Sequence, residues 1–424
     1  MSQDMIAAFW TVGVAIVASL MCAWLGVWLV LQRVSMLGDA ISHSVLPGLV
    51  GTFLLFGTRA SLPMFLGAVV AGLLTVLLTR AISKASLLRE DAAMGVVFTV
   101  LFALGVTLIH RYARQIDLDP GCVLYGLIEF VSLDTVPVAG VEVPRAMFTL
   151  IPALLVTTAF LLLFRKELAL MAFDSPLAKA LGFRPNGLYY ALMVMVAVAT
   201  VASFEAVGSI LVIAMLIGPA ATAQLLTRKL RSMFWISGIC AVLASVFGYM
   251  LAVRLNTSVA GMMSVVIGAL YTGAVVFSPA GGVLHKSIER AKRRALIARE
   301  DILAAAYRLR ETGSAATASA MRDLIGAAWF QPSAIDKLKS SGLLLESNGA
   351  FELTQTGTGA AAGLVRRHRL LEAFFVEQMQ KGISDVHEEA HLAEHFLSKQ
   401  GERDVQEVLG ERDVDPHGKS IPKA

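Results

Sequence analysis

Asp39 and His43 stand four residues apart in LGDAISHSVLPGL. That spacing is one helical turn, so a helix presents both side chains on one face. The surrounding residues are apolar enough to lie in a bilayer, where an ionisable group costs roughly 2.5–3.5 kcal/mol on insertion scales and is kept chiefly for ion paths and polar cavities. A carboxylate beside an imidazole suits a divalent metal; a helix-packing hydrogen bond and a proton relay are the other readings of the pair. Near the opposite end, RRHRLLEAFF places His368 and Glu372 at i, i+4, and VHEEAHLAEHFL places His387, His391, Glu394 and His395 at spacings of four, three and one. Five of the eight histidines fall between 368 and 417. A lone histidine of this kind reads as part of a solvated face, but two such runs point to a divalent cation.

The groups that position these residues are of two kinds. Of 424 residues, 56% are hydrophobic and 16% charged, with a mean hydropathy of +0.68, the balance of a polytopic membrane protein. The last 140 residues, from His285, hold 20 of the 36 Lys/Arg and 20 of the 32 Asp/Glu, and no apolar run long enough to span a bilayer. The net charge of +4 therefore belongs to the first 284 residues, and the remainder reads as a separate soluble part. Cys22, Cys122 and Cys240 are far apart and mostly inside apolar runs, which argues against a disulfide framework or a Cys-rich zinc site. MSQDM has no basic region, and no A-x-A cleavage site follows, so the first apolar stretch is expected to be a span and not a signal peptide.

Apolar stretches near 6–31, 39–57, 62–82, 91–110, 147–164, 188–203, 206–225, 232–254 and 258–280 predict nine transmembrane helices. Basic residues gather after the first (Arg33), third (Arg80, Lys84, Arg89), fifth (Arg165, Lys166, Lys179, Arg184), seventh (Arg228, Lys229, Arg231) and ninth (Lys286, Arg290, Lys292, Arg293, Arg294). Positive exits are cytoplasmic, which puts the charged tail inside and the N-terminus outside, with Arg111, Arg114 and Arg145 as exceptions in an outer loop. Small residues in FLGAVVAGLL and SVVIGALYTGAVV allow close helix approach. Pro47, four residues after His43, is expected to kink or break the second span and open space for an ion. Glu90 and Asp91 open the fourth span, where carboxylates favour a helix N-terminus; Glu205, between two spans, and His110, at the end of another, read as interfacial.

Between the fifth and sixth spans, RKELALMAFDSPLAKALGFRPNG predicts a short cytoplasmic helix. After Phe173, Asp174 or Ser175 can cap it, Pro176 suits the first helical position, Leu177, Ala178, Lys179, Ala180 and Leu181 continue it, and Gly182 ends it. It is either a surface connector or a docking element for a partner. No G-x-x-x-x-G-K-[ST] loop occurs, and no nucleophile–base arrangement points to catalysis by this chain.

GDAISHSVLPGL, REDAAMGVVFTVLFALGV, LALMAFDSPLAKALGF and GSILVIAMLIGPAATAQLL, in this order, resemble the manganese/zinc/iron permeases of the ABC transporter superfamily over residues 6–284. The resemblance implies a homo- or heterodimeric membrane subunit with Asp39 and His43 on its metal path. It also implies a coupling helix at 173–182 that meets a separate ATPase subunit, and a separate solute-binding protein that delivers the ion.

In the tail, EDILAAAYRLRET (300–312) and QPSAIDKLKSSGLLL (331–345) read as helices, and NGAFELTQTG as a hairpin signal, together a winged-helix pattern. With the histidine runs and DPHGKSIP behind it, the segment 299–422 resembles the metal-dependent repressors related to the diphtheria toxin repressor and the manganese transport regulator. That resemblance assigns His368, Glu372 and His387 to one metal site and Asp301, His391, Glu394 and His395 to the other. Asp301 matches the manganese-responsive branch, since iron-responsive members carry Met there; His391 departs from both branches, which use Glu or Cys. Candidate DNA contacts are Ser333, Lys337 and Lys339. The wing LLLESNGAFELTQTG has no basic residue and the tail is electrically neutral, so DNA affinity is expected to be weak, because phosphate contacts dominate it.

The expected fold is thus an all-α polytopic membrane protein of about nine transmembrane helices plus a C-terminal α+β winged-helix and helical metal-binding domain. Its expected divisions are a metal-ion permease domain at 1–284, a basic linker at 285–298, a winged helix at 299–360 and a helical metal-binding and dimerisation domain at 361–424. The expected function is that of the permease subunit of an ATP-binding-cassette importer for divalent transition metal ions, Mn²⁺ ahead of Zn²⁺ or Fe²⁺, in the inner membrane of a bacterium, with a cytoplasmic metal-sensing tail. The alternative makes the tail a metal-dependent transcription regulator, fused or released by proteolysis at the basic linker. Expected partners are a second permease subunit, an ATPase, a solute-binding protein, the lipid bilayer and, through the tail, DNA.

Overall fold

The computed structural model describes residues 3–34, 36–57, 61–112, 128–138, 140–279, 281–327, 329–382, 386–410 and 412–423; Arg114 and Cys122, considered above, lie outside them. Two compact units divide between His285 and Lys286.

The first unit is built from α1 (Gln3–Leu31), α2 (Leu37–Phe56), α3 (Ser61–Ala85), α4 (Glu90–Tyr112), α5 (Arg145–Leu163), α6 (Arg165–Phe173), α7 (Ser175–Ala180), α8 (Pro185–Val207), α9 (Ser209–Leu226), α10 (Leu230–Leu255) and α11 (Val259–Phe277). Among the described residues, nine of these helices, all but α6 and α7, are long and apolar enough to cross a membrane. Such runs fold as helices because hydrocarbon offers no partner to an unpaired backbone group. One element is absent from the sequence expectation: β1 (Thr135–Val138) and β2 (Val141–Pro144) pair as an antiparallel hairpin, Val136 opposite Val143. A proline in each strand hides it from sequence patterning.

Met21, Leu25, Trp28 and Leu29 make α1 the centre of this unit, fully buried against residues of α8 and α9 such as Leu192, Met193, Leu211 and Met215. The contact is close because Gly26 has no side chain: a Cβ there would stand 1.7 Å from the Leu216 carbonyl oxygen. α2 packs against α3 and α4, and the buried Thr75 hydroxyl donates to Ser44 Oγ at 2.6 Å. α2 does not break at Pro47; it is one helix with the proline inside. The ring abuts Gly105 of α4, whose missing Cβ would lie 2.9 Å from Pro47 Cδ. Pro47 still withholds the N–H that would bond the His43 carbonyl, four residues back.

The second unit, Lys286–Ala424, contains most of α12 (Val283–Glu311), then α13 (Ala318–Ile325), α14 (Pro332–Ser340), β3 (Leu344–Ser347), β4 (Ala350–Leu353), α15 (Gln355–Glu377), α16 (Val386–Glu394) and α17 (Lys399–Leu409). Ile302, Met321, Leu338, Leu344 and Leu364 anchor its core. The hairpin turns through Asn348 and Gly349 at φ +50° and +77°, the left-handed pair that a two-residue turn requires. The helix expected over 331–345 stops at Ser340. Gly342 adopts φ +70° and the Leu343 N–H reaches back to the Leu338 carbonyl at 3.0 Å, a glycine-ended helix stop that releases Leu344 into the wing. The short α13 was not anticipated, and the stretch expected to be a basic linker is helical, the first half of α12.

Gly26→Ala is expected to lower the unfolding temperature of the detergent-purified chain, overpacking of this kind costing about 1–3 kcal/mol. Gly95→Ala, where nothing lies within 4 Å of the added Cβ, is expected to leave it unchanged, as differential scanning fluorimetry would check.

Candidate metal centres

α2 brings Asp39 and His43 together as the spacing requires. His43 Nε2 lies 3.2 Å from Asp39 Oδ1, and the side chains are 31% and 30% exposed, while Ile41, Ser42, Ser44 and Val45 are buried. The imidazole stacks on Phe98, with centroids 5.7 Å apart and planes 28° apart, and meets Phe102 edge-on at 5.9 Å and 82°. These rings are one turn apart on α4 and fix the imidazole plane; in the sequence they are two apolar residues among many. One carboxylate and one imidazole are fewer donors than a divalent ion takes up.

In the segment after α5 the structure has two short helices, with Asp174 and not Ser175 as the cap: Asp174 Oδ1 accepts from the Leu177 N–H at 2.9 Å. Gly182, at φ +83°, follows the end of α7, and Phe173, Leu177 and Leu181 are exposed. Phe173 and Ser175 line a cavity of about 640 Å³ together with Gln32, Arg80, Glu90 and Tyr189. The Arg80 guanidinium lies 3.8 Å from the Tyr189 ring centre, and the Tyr189 hydroxyl donates to Glu90 Oε1 at 3.1 Å. Glu90, expected to serve the start of α4, thus also ties α4 to α8. Glu205 is exposed in the last turn of α8, and His110 is exposed near the end of α4.

The tail gathers its seven expected metal-binding residues into two groups. In one, His368 Nε2 lies 3.0 Å from Glu372 Oε1 and 3.1 Å from His387 Nδ1, and His387 Nδ1 is 2.7 Å from Glu372 Oε1. In the other, Asp301 of α12 faces His391, Glu394 and His395 at the end of α16: His395 Nε2 is 3.1 Å and His391 Nε2 3.8 Å from Asp301 Oδ1, and His391 Nδ1 is 3.3 Å from Glu394 Oε1. Glu394 serves both groups, because its Oε2 lies 2.6 Å from His368 Nδ1. Two neighbours were not anticipated. Glu300 Oε2 holds His395 Nδ1 at 2.7 Å, the outer contact that orients a ligating imidazole, and His417 Nε2 approaches Glu372 Oε1 at 3.8 Å.

Asp301 Oδ2 is buried with no hydrogen-bond partner among the described residues, and Asp301 Oδ1 and His395 Nε2, also buried, meet only in the 3.1 Å ion-pair contact, without hydrogen-bond geometry. Orphaned, converging donors of this kind fit a cation and are costly without one. Two carboxylates and two imidazoles, with no thiolate, suit Mn²⁺, Fe²⁺ or Zn²⁺. In the metal-free unit protons substitute. Burial pulls the His395 pKa down, but Asp301 and Glu300 outweigh it and raise the value to about 9; burial likewise works against His368, and Glu372 and Glu394 still raise it. Burial pushes Glu372 and Glu394 upward, yet hydrogen bonds, to His368 and His387 for Glu372 and to His368 and His391 for Glu394, hold both below the ordinary carboxylate range.

Of the candidate DNA contacts, Ser333 and Lys337 are exposed on α14, but Lys339 is ion-paired with Glu346 of the wing.

A family model described as "ABC 3 transport family" matches residues 1–278. The chain belongs to this family. It is a multi-pass permease subunit of an ABC transporter, and its residues 354–423 match "Iron dependent repressor, metal binding and dimerisation domain". The permease is 41% identical over 280 residues to the "Manganese transport system membrane protein MntD" of Bacillus subtilis (strain 168), covering 66% of this chain and 95% of that protein. It is 39% identical over 275 residues to the "Zinc transport system membrane protein TroD" of Treponema pallidum (strain Nichols), covering 65% and 75%. The solved structure of PsaBC from Streptococcus pneumoniae in complex with Fab aligns with a TM-score of 0.54 at 30% identity, over 64% of this chain and 91% of that one.

A metal bound through His395 would displace the proton that Asp301 and Glu300 favour there, the imidazole pKa being raised to about 9. Affinity for Mn²⁺ is therefore expected to rise with pH through neutrality, with net proton release on binding, read by titration calorimetry in two buffers of different ionisation enthalpy.

Proposed function

We propose that this permease imports divalent transition metal ions, Mn²⁺ in preference to Zn²⁺ or Fe²⁺, and that its tail senses the same ions in the cytoplasm. The observation that carries this is the Asp39–His43 contact of 3.2 Å on the half-open face of a span in a family permease. Asp39 and His43 take the ion in transit, Phe98 and Phe102 keep the imidazole plane fixed, and the donors the pair lacks come from a second permease subunit, identical or homologous, facing α2. The ion is cargo, delivered by a solute-binding protein on the outer side.

No P-loop occurs in this chain, so ATP hydrolysis belongs to a separate subunit. That subunit docks on residues 173–182, where exposed Phe173, Leu177 and Leu181 supply apolar contacts, and the cavity shared with Arg80, Glu90 and Tyr189 carries its movement to α3, α4 and α8. The basic exits of the odd-numbered spans support a cytoplasmic tail in a bacterial inner membrane. Residues 1–284 are then the permease domain, 285–298 a connecting segment, 299–360 a winged helix, and 361–424 the metal-binding and dimerisation domain. His368, Glu372 and His387 hold one regulatory ion, and Asp301, His391, Glu394 and His395 the other. Carboxylate and imidazole donors suit Mn²⁺ and Zn²⁺ and argue against Cu(I), and Asp301 leans the choice to Mn²⁺. A DNA-binding tail, fused or released, is disfavoured by the engagement of Lys339 with Glu346 and by a wing without basic residues.

Asp39→Ala and His43→Ala are each expected to abolish radiolabelled Mn²⁺ uptake in cells co-expressing the ATPase, with membrane insertion unchanged on immunoblots; uptake at the unmutated rate in both would overturn the transport path. Deleting residues 295–424 is expected to leave uptake that no longer responds to cytoplasmic metal, and an unaltered response would remove the sensing role.

A further inference from the structure

The amino-terminal half of α12 is an exposed helix. From Val283 to Arg294 every residue except Glu289 is exposed, whereas from Ala298 to Ala306 the same helix enters the core of its unit. A solvated stretch of about 12 residues is a marginal helix in water. Its side chains are nonetheless sorted. At 100° per residue, Leu284, Ile288, Ala291 and Ala295 form one stripe, Lys286, Arg290 and Arg293 lie opposite, and Lys292 and Arg294 run along its flanks. Val283, Leu284 and Ile288 are 58%, 47% and 46% exposed. Glu289 is the single acid between Val283 and Arg299, and Lys292 neutralises it at 3.3 Å.

The helix begins shortly after a membrane span. α11 ends at Phe277 and α12 starts at Val283, so the connecting chain reaches at most about 20 Å. A helix with a narrow apolar stripe, a strongly basic opposite face and low overall hydrophobicity, close to a bilayer, has the features of an interfacial element. Its charge complements anionic headgroups.

We infer that residues 283–296 lie in the membrane surface as an amphipathic anchor, with Leu284 and Ile288 among the acyl chains and Lys286, Arg290 and Arg293 among anionic headgroups. This goes beyond the transport function and depends only on the membrane-spanning character of the first unit. The bilayer completes the helix that water leaves marginal, and Lys292 and Arg294 lay their methylene stems along the apolar edge while their charges stay in the headgroup layer.

The test uses the full chain, with Cys22, Cys122 and Cys240 replaced by Ser, reconstituted in vesicles of phosphatidylcholine with or without phosphatidylglycerol. Nitroxide labels at Leu284→Cys and Ile288→Cys are expected to be relaxed by oxygen and shielded from a water-soluble nickel chelate in anionic vesicles, with Lys286→Cys and Arg293→Cys reversed. Each basic residue contributes roughly fivefold to partitioning at low salt. The combined Arg290→Gln, Lys292→Gln, Arg293→Gln and Arg294→Gln variant is therefore expected to weaken partitioning several hundredfold, and the label at 288 becomes exposed to the chelate. A circular dichroism spectrum and a size-exclusion profile like those of the unmutated chain show that this variant is folded, and 1 M salt on the unmutated basic face gives the same loss independently. Three results would overturn the inference: chelate access at 284 and 288 in anionic vesicles, shielding that persists unchanged without phosphatidylglycerol and in 1 M salt, or shielding that appears only when duplex DNA is added.

Discussion

A carboxylate one helical turn from an imidazole occurs in both units, and in both the surroundings offset the cost of taking that pair from water. Moving an ion from water into a protein interior costs several kcal/mol even after relaxation. Asp39 and His43 lower that cost by remaining about one-third exposed, with the imidazole packed on Phe98 and Phe102 of α4. His368 and Glu372 are each 2% exposed. There the cost is met by mutual bonding: Glu372 takes two imidazoles and Glu394 a share of both groups.

The tail places its pair by means of two arginines. Arg366 and Arg369 are buried in α15, six and three residues before Glu372 and on either side of His368 in sequence. Arg366 donates to Glu402, Gln406 and the Pro422 carbonyl; Arg369 donates to Glu311 and the Ser420 carbonyl and lies 3.6 Å from Asp415. Each guanidinium has its charge matched and several of its donors used, which is what makes a buried arginine tolerable. Through them the end of α12, α17 and the C-terminal strand of chain converge on the helix that carries the metal-binding pair. Asp415 in turn accepts from the His417 and Lys419 N–H groups, shaping the turn that brings His417 toward Glu372.

The nine spans were legible because a run of apolar residues in lipid has one structural solution, and the grouping of His368 with Glu372 followed from helical period. The wing was legible from Asn348-Gly349 for a local reason, since the turn needs left-handed backbone there. What escaped was set by contacts between distant residues. Glu300 differs from other surface glutamates only in meeting His395, and Phe98 and Phe102 become part of the Asp39–His43 site only when α4 packs on α2. The close fit of the Pro47 ring against Gly105 likewise involves another helix. The end of α14 was in principle readable from Gly342, but the apolar LLL that follows favoured extending the helix until the strand claimed it.

The spans of the first unit are unequal, and that has a bearing on the lipid around them. α9 has 18 residues and rises about 27 Å, while α10 has 26 and rises about 39 Å; the hydrocarbon of a typical bilayer is about 30 Å thick. The long helix must tilt or protrude, whereas the short one packs against α1, α10 and α11 and needs no tilt to fit. The tilt that α10 needs is set by the thickness of the bilayer around it, at a cost of fractions of a kcal/mol per ångström of mismatch, so acyl-chain length bears on the packing of this helix without any ligand.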